Sequence, residues 1–332
     1  MSIFLGCDGG GTKLALCLAD ERGQVLGKAS FPGIMPLRES KDAYVRTLRG
    51  YVQDFLKKAD LAPDALAAAA FALTCCGESR ESTAWMEEAV SRALPGVPFL
   101  VMGDQVAGWC GALGGQSGIH VVAGTGSIAY GEDGHGGKAR AGGWTVFYGD
   151  EGSSYWAGVQ AVNAFFRQAD GRMEKTCLYD YFMELFHLQD PLHVAGAIDE
   201  FTDNGDVAKV ASLQRHLKNI WDMGDPVADA IYRRGAAELA DLVRALMGRL
   251  HFEVPPMVSY SGGLFRGGDC ILVPFREEVE ALGARLTQPR FGPMAGAVGL
   301  AARDHVDRET LLSIMEGVDR YEASTHADGL SV

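Results

Sequence analysis

Apolar positions along this chain fall first at strand spacing and then at helix spacing. Residues 3–7 are a short apolar run led by β-branched Ile3, which suits a central strand better than one helical turn. Residues 14–19 and 24–30 read as two more strands, separated by the turn Asp20-Glu21-Arg22-Gly23. The result is a β-meander whose first hairpin is Gly9-Gly10-Gly11-Thr12, followed by a rigid loop at Pro32-Gly33-Ile34-Met35-Pro36. From 40 to 58 the apolar residues Tyr44, Val45, Leu48, Val52 and Phe55 recur at helical spacing and predict an amphipathic helix. Residues 65–73 read as a strand, 82–94 as a helix with Ser82 as its N-cap, 98–102 as a strand, and 106–113 as a helix.

The second half opens on residues 118–130, again strand, glycine turn, strand. Shifted by 115 positions, Gly9 falls on Gly124, Gly11 on Gly126 and Thr12 on Ser127. An internal duplication follows, with two similar lobes whose glycine turns could face each other. Ala123 stands where the first copy has Asp8, so the two turns divide their labour. Residues 157–254 are mostly helical by periodicity, most clearly 226–250 with Asp225-Pro226 as its start. Residues 257–260 read as a strand, 271–282 as strand then helix, and 292–302 as a helix of small residues suited to close packing. A polar tail is expected from Ser324.

At 332 residues, two lobes of about 100–200 residues are expected. No apolar run approaches the roughly 20 residues of a membrane span, and Met1-Ser2-Ile3 enters the first strand without a leader pattern, so a cytoplasmic protein is expected. A net charge of −13 and the lack of a basic stripe argue against nucleic acid as a partner, while a small anion held by local N–H groups stays compatible. Seven scattered cysteines without a Cys-x-x-Cys pair read as reduced packing thiols, adjacent Cys75-Cys76 included. The eight histidines show no ligand spacing.

The chemistry centres on Asp8-Gly9-Gly10-Gly11-Thr12-Lys13. Glycines remove Cβ atoms and permit positive φ, so backbone N–H groups can converge on an anion, with Thr12 adding a hydroxyl and Lys13 a cation. The spacing is neither the Walker loop nor the dinucleotide fingerprint, whose acidic residue follows its glycines. A carboxylate before the glycines suits a hydrated metal beside a phosphate; the plain alternative is a glycine-rich hairpin.

Taken together, Asp8 to Lys13, Gly103-Asp104-Gln105-Val106-Ala107-Gly108, Ala123-Gly124-Thr125-Gly126-Ser127, Gly142-Gly143-Trp144 through Gly149-Asp150-Glu151-Gly152-Ser153, Ser261-Gly262-Gly263 and Pro293-Met294-Ala295-Gly296-Ala297 resemble the N-acetylglucosamine kinase family. That family lies in the BadF/BadG/BcrA/BcrD-type ATPase group of the sugar kinase, Hsp70 and actin superfamily. The resemblance implies an α/β protein of two ribonuclease-H-like lobes, each a βββαβα core, around a central cleft for ATP and Mg2+. The first lobe would be residues 1–115 plus about 296–323, the second 116–295, with 324–332 a polar tail. Asp8 would hold the metal; Gly10, Gly11, Thr12 and Lys13 would meet the phosphates, as would Gly124, Thr125 and Gly126. Gly262 and Gly263 would lie against adenosine.

By the same likeness Asp104 is the expected proton acceptor in transfer of a phosphoryl group to a sugar hydroxyl. The structural alternative for Asp104 is a helix N-cap. Asp104, Asp150, Gly143 and Trp144 would bind the sugar, with Ser127 a weaker candidate. Family members carry an asparagine in the loop after the third strand; Gly33-Ile34-Met35 has no amide, which leaves open which hexosamine or other sugar fits. A homodimer is implied only by the likeness. Competing readings are an activator ATPase working through a shared iron–sulfur cluster, which lacks obvious cysteine ligands here, and a nucleotide-binding protein that has lost catalysis.

Overall fold

The structure is a computed structural model in which residues 1–328 are described. Two compact units divide the chain: residues 1–116 with the segment from Gln288 onward, and Ser117–Thr287.

The first unit begins with β1 (Ile3–Gly9), β2 (Lys13–Asp20) and β3 (Val25–Pro32), an antiparallel meander. α1 (Lys41–Lys58), β4 (Leu66–Leu73), α2 (Arg80–Ala93), β5 (Phe99–Met102) and α3 (Asp104–Leu113) follow. The sheet order is β3-β2-β1-β4-β5, with β4 parallel to β1 and β5 parallel to β4. Parallel neighbours need a crossover, and the helices supply it. α1 forms because Ser40 caps it, its hydroxyl accepting from the Ala43 N–H at 3.3 Å, and because Tyr44, Val45, Leu48, Val52, Phe55 and Leu56 make one buried stripe.

The second unit repeats this plan. β6 (Gly118–Ala123), β7 (Ser127–Glu132) and β8 (Lys138–Gly142) form its meander. Five helices take the place of α1: α4 (Ser154–Ala169), α5 (Cys177–Leu185), α6 (Val194–Thr202), α7 (Val207–Asp222) and α8 (Pro226–Met247). β9 (Met257–Ser261), α9 (Asp269–Ala281) and β10 (Arg285–Leu286) complete the sheet in the order β8-β7-β6-β9-β10. β9 is parallel to β6 and β10 to β9, so strand order and direction match the first unit throughout. The duplication read from the glycine turns is therefore a duplication of the whole sheet, and both units are ribonuclease-H-like.

The chain then returns to the first unit as α10 (Pro293–Ala302) and α11 (Arg308–Asp328). α10 is buried from Met294 to Ala302 and packs on β1 and α3. A Cβ at Gly296 would collide with the Ala107 carbonyl, and one at Gly6 would stand 2.6 Å from the Val298 nitrogen. The small residues at 292–302 thus serve close packing, as their pattern predicts.

Several local expectations change. Ser79, not Ser82, caps α2, accepting from the Ser82 N–H at 3.1 Å. Residues 271–274 are helical, because Cys270, Ile271, Pro274, Phe275 and Val279 are buried at helical spacing while Val273 is exposed. The edge position of that sheet is filled instead by two-residue β10. β8 lacks an apolar signal, since Lys138 and Arg140 interrupt it. The segment expected as a tail from Ser324 is helical through Asp328, and the rest of that tail lies outside the described residues. Among the described residues, no helix is long and apolar enough to cross a membrane.

Candidate active site

In the first unit the C-terminal end of β1 gathers the chemistry. Asp8 pairs with Ala15 on one side and Ala72 on the other, so its carboxylate is fixed by the central strand. The turn after it closes with the Gly10 N–H donating to the Lys13 carbonyl at 2.9 Å, leaving Thr12 and Lys13 exposed. None of Gly9, Gly10 and Gly11 has a positive φ, contrary to the backbone freedom expected of them. Smallness matters instead: a Cβ on Gly11 would stand 2.9 Å from Met35 Sδ. The Gly33 N–H donates to the Thr12 carbonyl at 3.1 Å, so the loop lacking an amide is laid directly on the glycine turn. The Thr74 N–H bonds the Gly9 carbonyl at 2.7 Å and draws in the loop after β4.

Asp104 is the first residue of α3, and Gly103 occupies the cap position, so the capping alternative does not hold. The carboxyl of Asp104 reaches solvent, yet surrounding protein desolvates it and raises its pKa; the Gln105 N–H opposes that rise and nearby Glu78 adds to it. Half-buried Asp8 is pushed up to about 6, first by burial and next by repulsion from Asp104 and Glu322, with Lys13 and Lys28 pulling the other way. Asp104 is thus close enough to act on Asp8. Glu78 is an acidic neighbour that sequence reading missed, since it lies in a loop of no recognised pattern.

In the second unit the corresponding turn is built against the start of α4. The Gly124 N–H donates to the Gly126 carbonyl at 2.9 Å, and the Ser154 N–H donates to the Gly124 carbonyl at 2.9 Å. Ser153 caps α4 through the Trp156 N–H at 3.1 Å. Ser127 Oγ donates to the Glu151 carbonyl at 2.7 Å, and the Gly143 N–H donates to the Ser127 carbonyl at 2.8 Å. Buried Asp150, held at φ +55°, lays its carboxylate over Gly126, where any Cβ would collide with it. Gly262, at φ +107°, comes so close to the Ala123 carbonyl that no side chain fits, and Gly263 faces Ser154 Oγ at the distance of a Cβ contact. Gly124, Thr125, Gly126, Ser127, Gly143, Asp150, Gly262 and Gly263 therefore form one constellation. Trp144 stands beside it, 74% exposed, with the Arg140 guanidinium 5.2 Å from its ring centroid. Serines 153 and 154 ahead of a helical run were the signal that could have tied α4 to this turn.

Among known proteins, the chain is 28% identical to an N-acetylmuramic acid/N-acetylglucosamine kinase of Clostridium acetobutylicum, over 83% of this chain and 90% of that one. It is 24% identical to an N-acetyl-D-glucosamine kinase of Dictyostelium discoideum, over 80% and 86% of the respective chains. Among solved structures, a candidate N-acetylglucosamine kinase from Chromobacterium violaceum superposes with a TM-score of 0.66 at 27% identity, covering 90% of this chain and 98% of that one. A ROK family glucokinase from Streptomyces griseus, solved with glucose and AMPPNP, shares the fold at a TM-score of 0.52 and 18% identity, covering 91% and 100%. The sheet duplication and these neighbours describe an actin-like sugar-kinase fold. Residues 5–302 match the sequence profile of the BadF/BadG/BcrA/BcrD ATPase family, and the chain belongs to that family.

Proposed function

We propose that this protein is a kinase that transfers the γ-phosphoryl group of ATP to a hydroxyl of an amino sugar. The observation that carries the reading is the place of Asp8 at the end of β1, beside the glycine turn, with the Asp104 carboxylate near enough to raise its pKa. A carboxylate pair of this kind is costly unless a cation and a proton donor occupy the site. The relatives named as kinases of N-acetylglucosamine and N-acetylmuramic acid support an amino sugar as the acceptor.

In this reading Asp104 accepts the proton of the sugar hydroxyl as that oxygen bonds to the γ-phosphorus. The bond from phosphorus to the β,γ-bridging oxygen breaks, and its electrons leave with ADP. Asp8 offers the hard oxygen donor that Mg2+ takes, and its raised pKa fits a site that a divalent cation relieves. When bound, Mg2+ neutralises charge on the phosphates. Gly11, Thr12 and Lys13 present N–H groups, a hydroxyl and a cation to phosphate, while Gly10, whose own N–H closes the turn, keeps the approach free of a side chain; Thr125 and Gly126 offer N–H groups in the corresponding turn of the second unit, which the Gly124 N–H closes. Gly262 and Gly263 let adenosine approach the backbone. Ser127, Gly143, Trp144 and Asp150 orient the sugar, Asp150 through its carboxylate and Trp144 through an apolar ring face.

The activator alternative needs thiolate ligands. Burial raises the thiol pKa of Cys7, Cys17, Cys76 and Cys270 instead, which disfavours the ligating form.

ADP release with ATP and Mg2+ across a panel of hexosamines and hexoses tests the kinase reading. Sugar-stimulated release is expected, and Asp104→Asn is expected to lower kcat by about 10²–10⁴ while ADP still binds. Release that no sugar stimulates would overturn the reading, and an unchanged kcat in the variant would remove Asp104 as the base.

A further inference from the structure

Arg140 differs from nearly every other arginine of the chain. Among the described residues only Arg140 and Arg303 are half-buried, the others being exposed. Arg303 has Asp304 at 4.0 Å, whereas no carboxylate oxygen of the described residues lies within that distance of the Arg140 guanidinium. A partly desolvated cation without an anion is costly, more so in a chain of net charge −13 that has carboxylates to spare. The position is also rigid. Arg140 is paired with Tyr130 in the β7–β8 ladder, its carbonyl accepts from Arg249 Nη1 at 2.7 Å, and its guanidinium carbon lies over the Trp144 ring, 5.2 Å from the centroid. A cation–π contact of this kind uses the ring face and takes none of the guanidinium N–H groups, whose fork matches a carboxylate. Two residues beyond Arg140 begins the loop that runs from Gly142 through Trp144 to Asp150.

We propose that Arg140, held over Trp144, is a carboxylate-reading subsite for the acceptor, so that the sugar this protein phosphorylates is an acidic one, an amino sugar bearing a carboxylate beside its ring. This rests on the kinase reading, and on the loop from Gly143 to Asp150 as the acceptor's.

The test compares kcat/KM for N-acetylmuramic acid and N-acetylglucosamine in the wild type, R140Q and R140K, with KM for ATP measured alongside. The wild type is expected to favour the acidic sugar. R140Q is expected to lower the acidic-to-uncharged ratio by about 10- to 100-fold, the loss of a charge-assisted bidentate contact, and R140K to keep part of it. KM for ATP stays constant in both. R140K, which keeps the charge, decides the matter if R140Q does not fold. An unchanged ratio overturns the subsite, as does a rise confined to KM for ATP, which would put the guanidinium on the nucleotide. Turnover of the uncharged sugar alone defeats the subsite and leaves the kinase reading standing; turnover of neither defeats both.

Discussion

His120 sits in the middle of β6, 1% exposed, with its Nε2 2.9 Å from Ser261 Oγ, one residue before Gly262. Burial holds its pKa down to about 3, against 6.5 in the unfolded chain. Above pH 6.5 both states are neutral, and the group adds no pH dependence. As pH falls from 6.5 toward 3 only the unfolded chain takes up the proton, so stability is lost, at up to about 1.4 kcal/mol per pH unit. Thermal unfolding of wild type and His120→Gln on either side of pH 6.5 checks this: the wild type's margin over the variant should shrink on the acid side, and a constant margin would contradict it. Neither His120 nor Arg140 was legible as a special residue in the sequence. Their significance comes from strand register, which sets His120 beside Ser259 and Arg140 beside Tyr130, and register joins residues far apart in the chain. Asp8 and Asp104 were legible because each lies in a short motif at a strand end, where local sequence alone defines the turn.

Among the elements, α8 shows how one side chain can organise two helices. Asp225 is buried; its Oδ1 accepts from the Val227 and Ala228 N–H groups at 2.8 and 3.0 Å, and its Oδ2 from the Leu178 N–H at 2.9 Å and Cys177 Sγ at 3.2 Å. One carboxylate therefore starts α8 and fixes the start of α5. Asp225→Ala leaves those donors unsatisfied and should cost about 2–4 kcal/mol, read as a lowered urea midpoint. A shift worth less than about 1 kcal/mol would mean that water replaces the carboxylate at little cost. The Asp225-Pro226 start was visible in the sequence, its second duty toward α5 was not. α9 was misread for a related reason. Ile271-Leu272-Val273 has strand composition, but the fold buries Cys270, Ile271, Pro274 and Phe275 as one stripe, and burial outweighs local propensity.

At the scale of the molecule, each unit has its own core, one around Leu5, Leu16, Val52 and Phe71, the other around Val121, Phe165, Leu217 and Leu239. Only the second is continuous in sequence. The first depends on α10, whose Val298 meets Gly6, and on His305, whose ring lies 5.9 Å from that of Phe4. A chain ended after Thr287 should retain slow amide exchange in β6, β7 and α8 while β1 and β2 exchange freely; protection persisting in β1 would show that α10 is dispensable to that core. The duplication was legible from three matched residues in the two glycine turns, because each turn is short and contiguous, so glycine and hydroxyl recur at the same spacing. The five-helix insertion between β8 and β9 was legible only as helical periodicity.

The same return of α10 to β1 sets an order on the protein's birth. Chains are made from the N-terminus at a few to about 20 residues per second, and N-terminal domains usually fold first. Here the strand that carries Asp8 emerges first and is sealed last, since its cover is more than 280 residues downstream. Order of synthesis thus lets the second unit close ahead of the first, and it leaves an apolar face of β1 uncovered until α10 has been made.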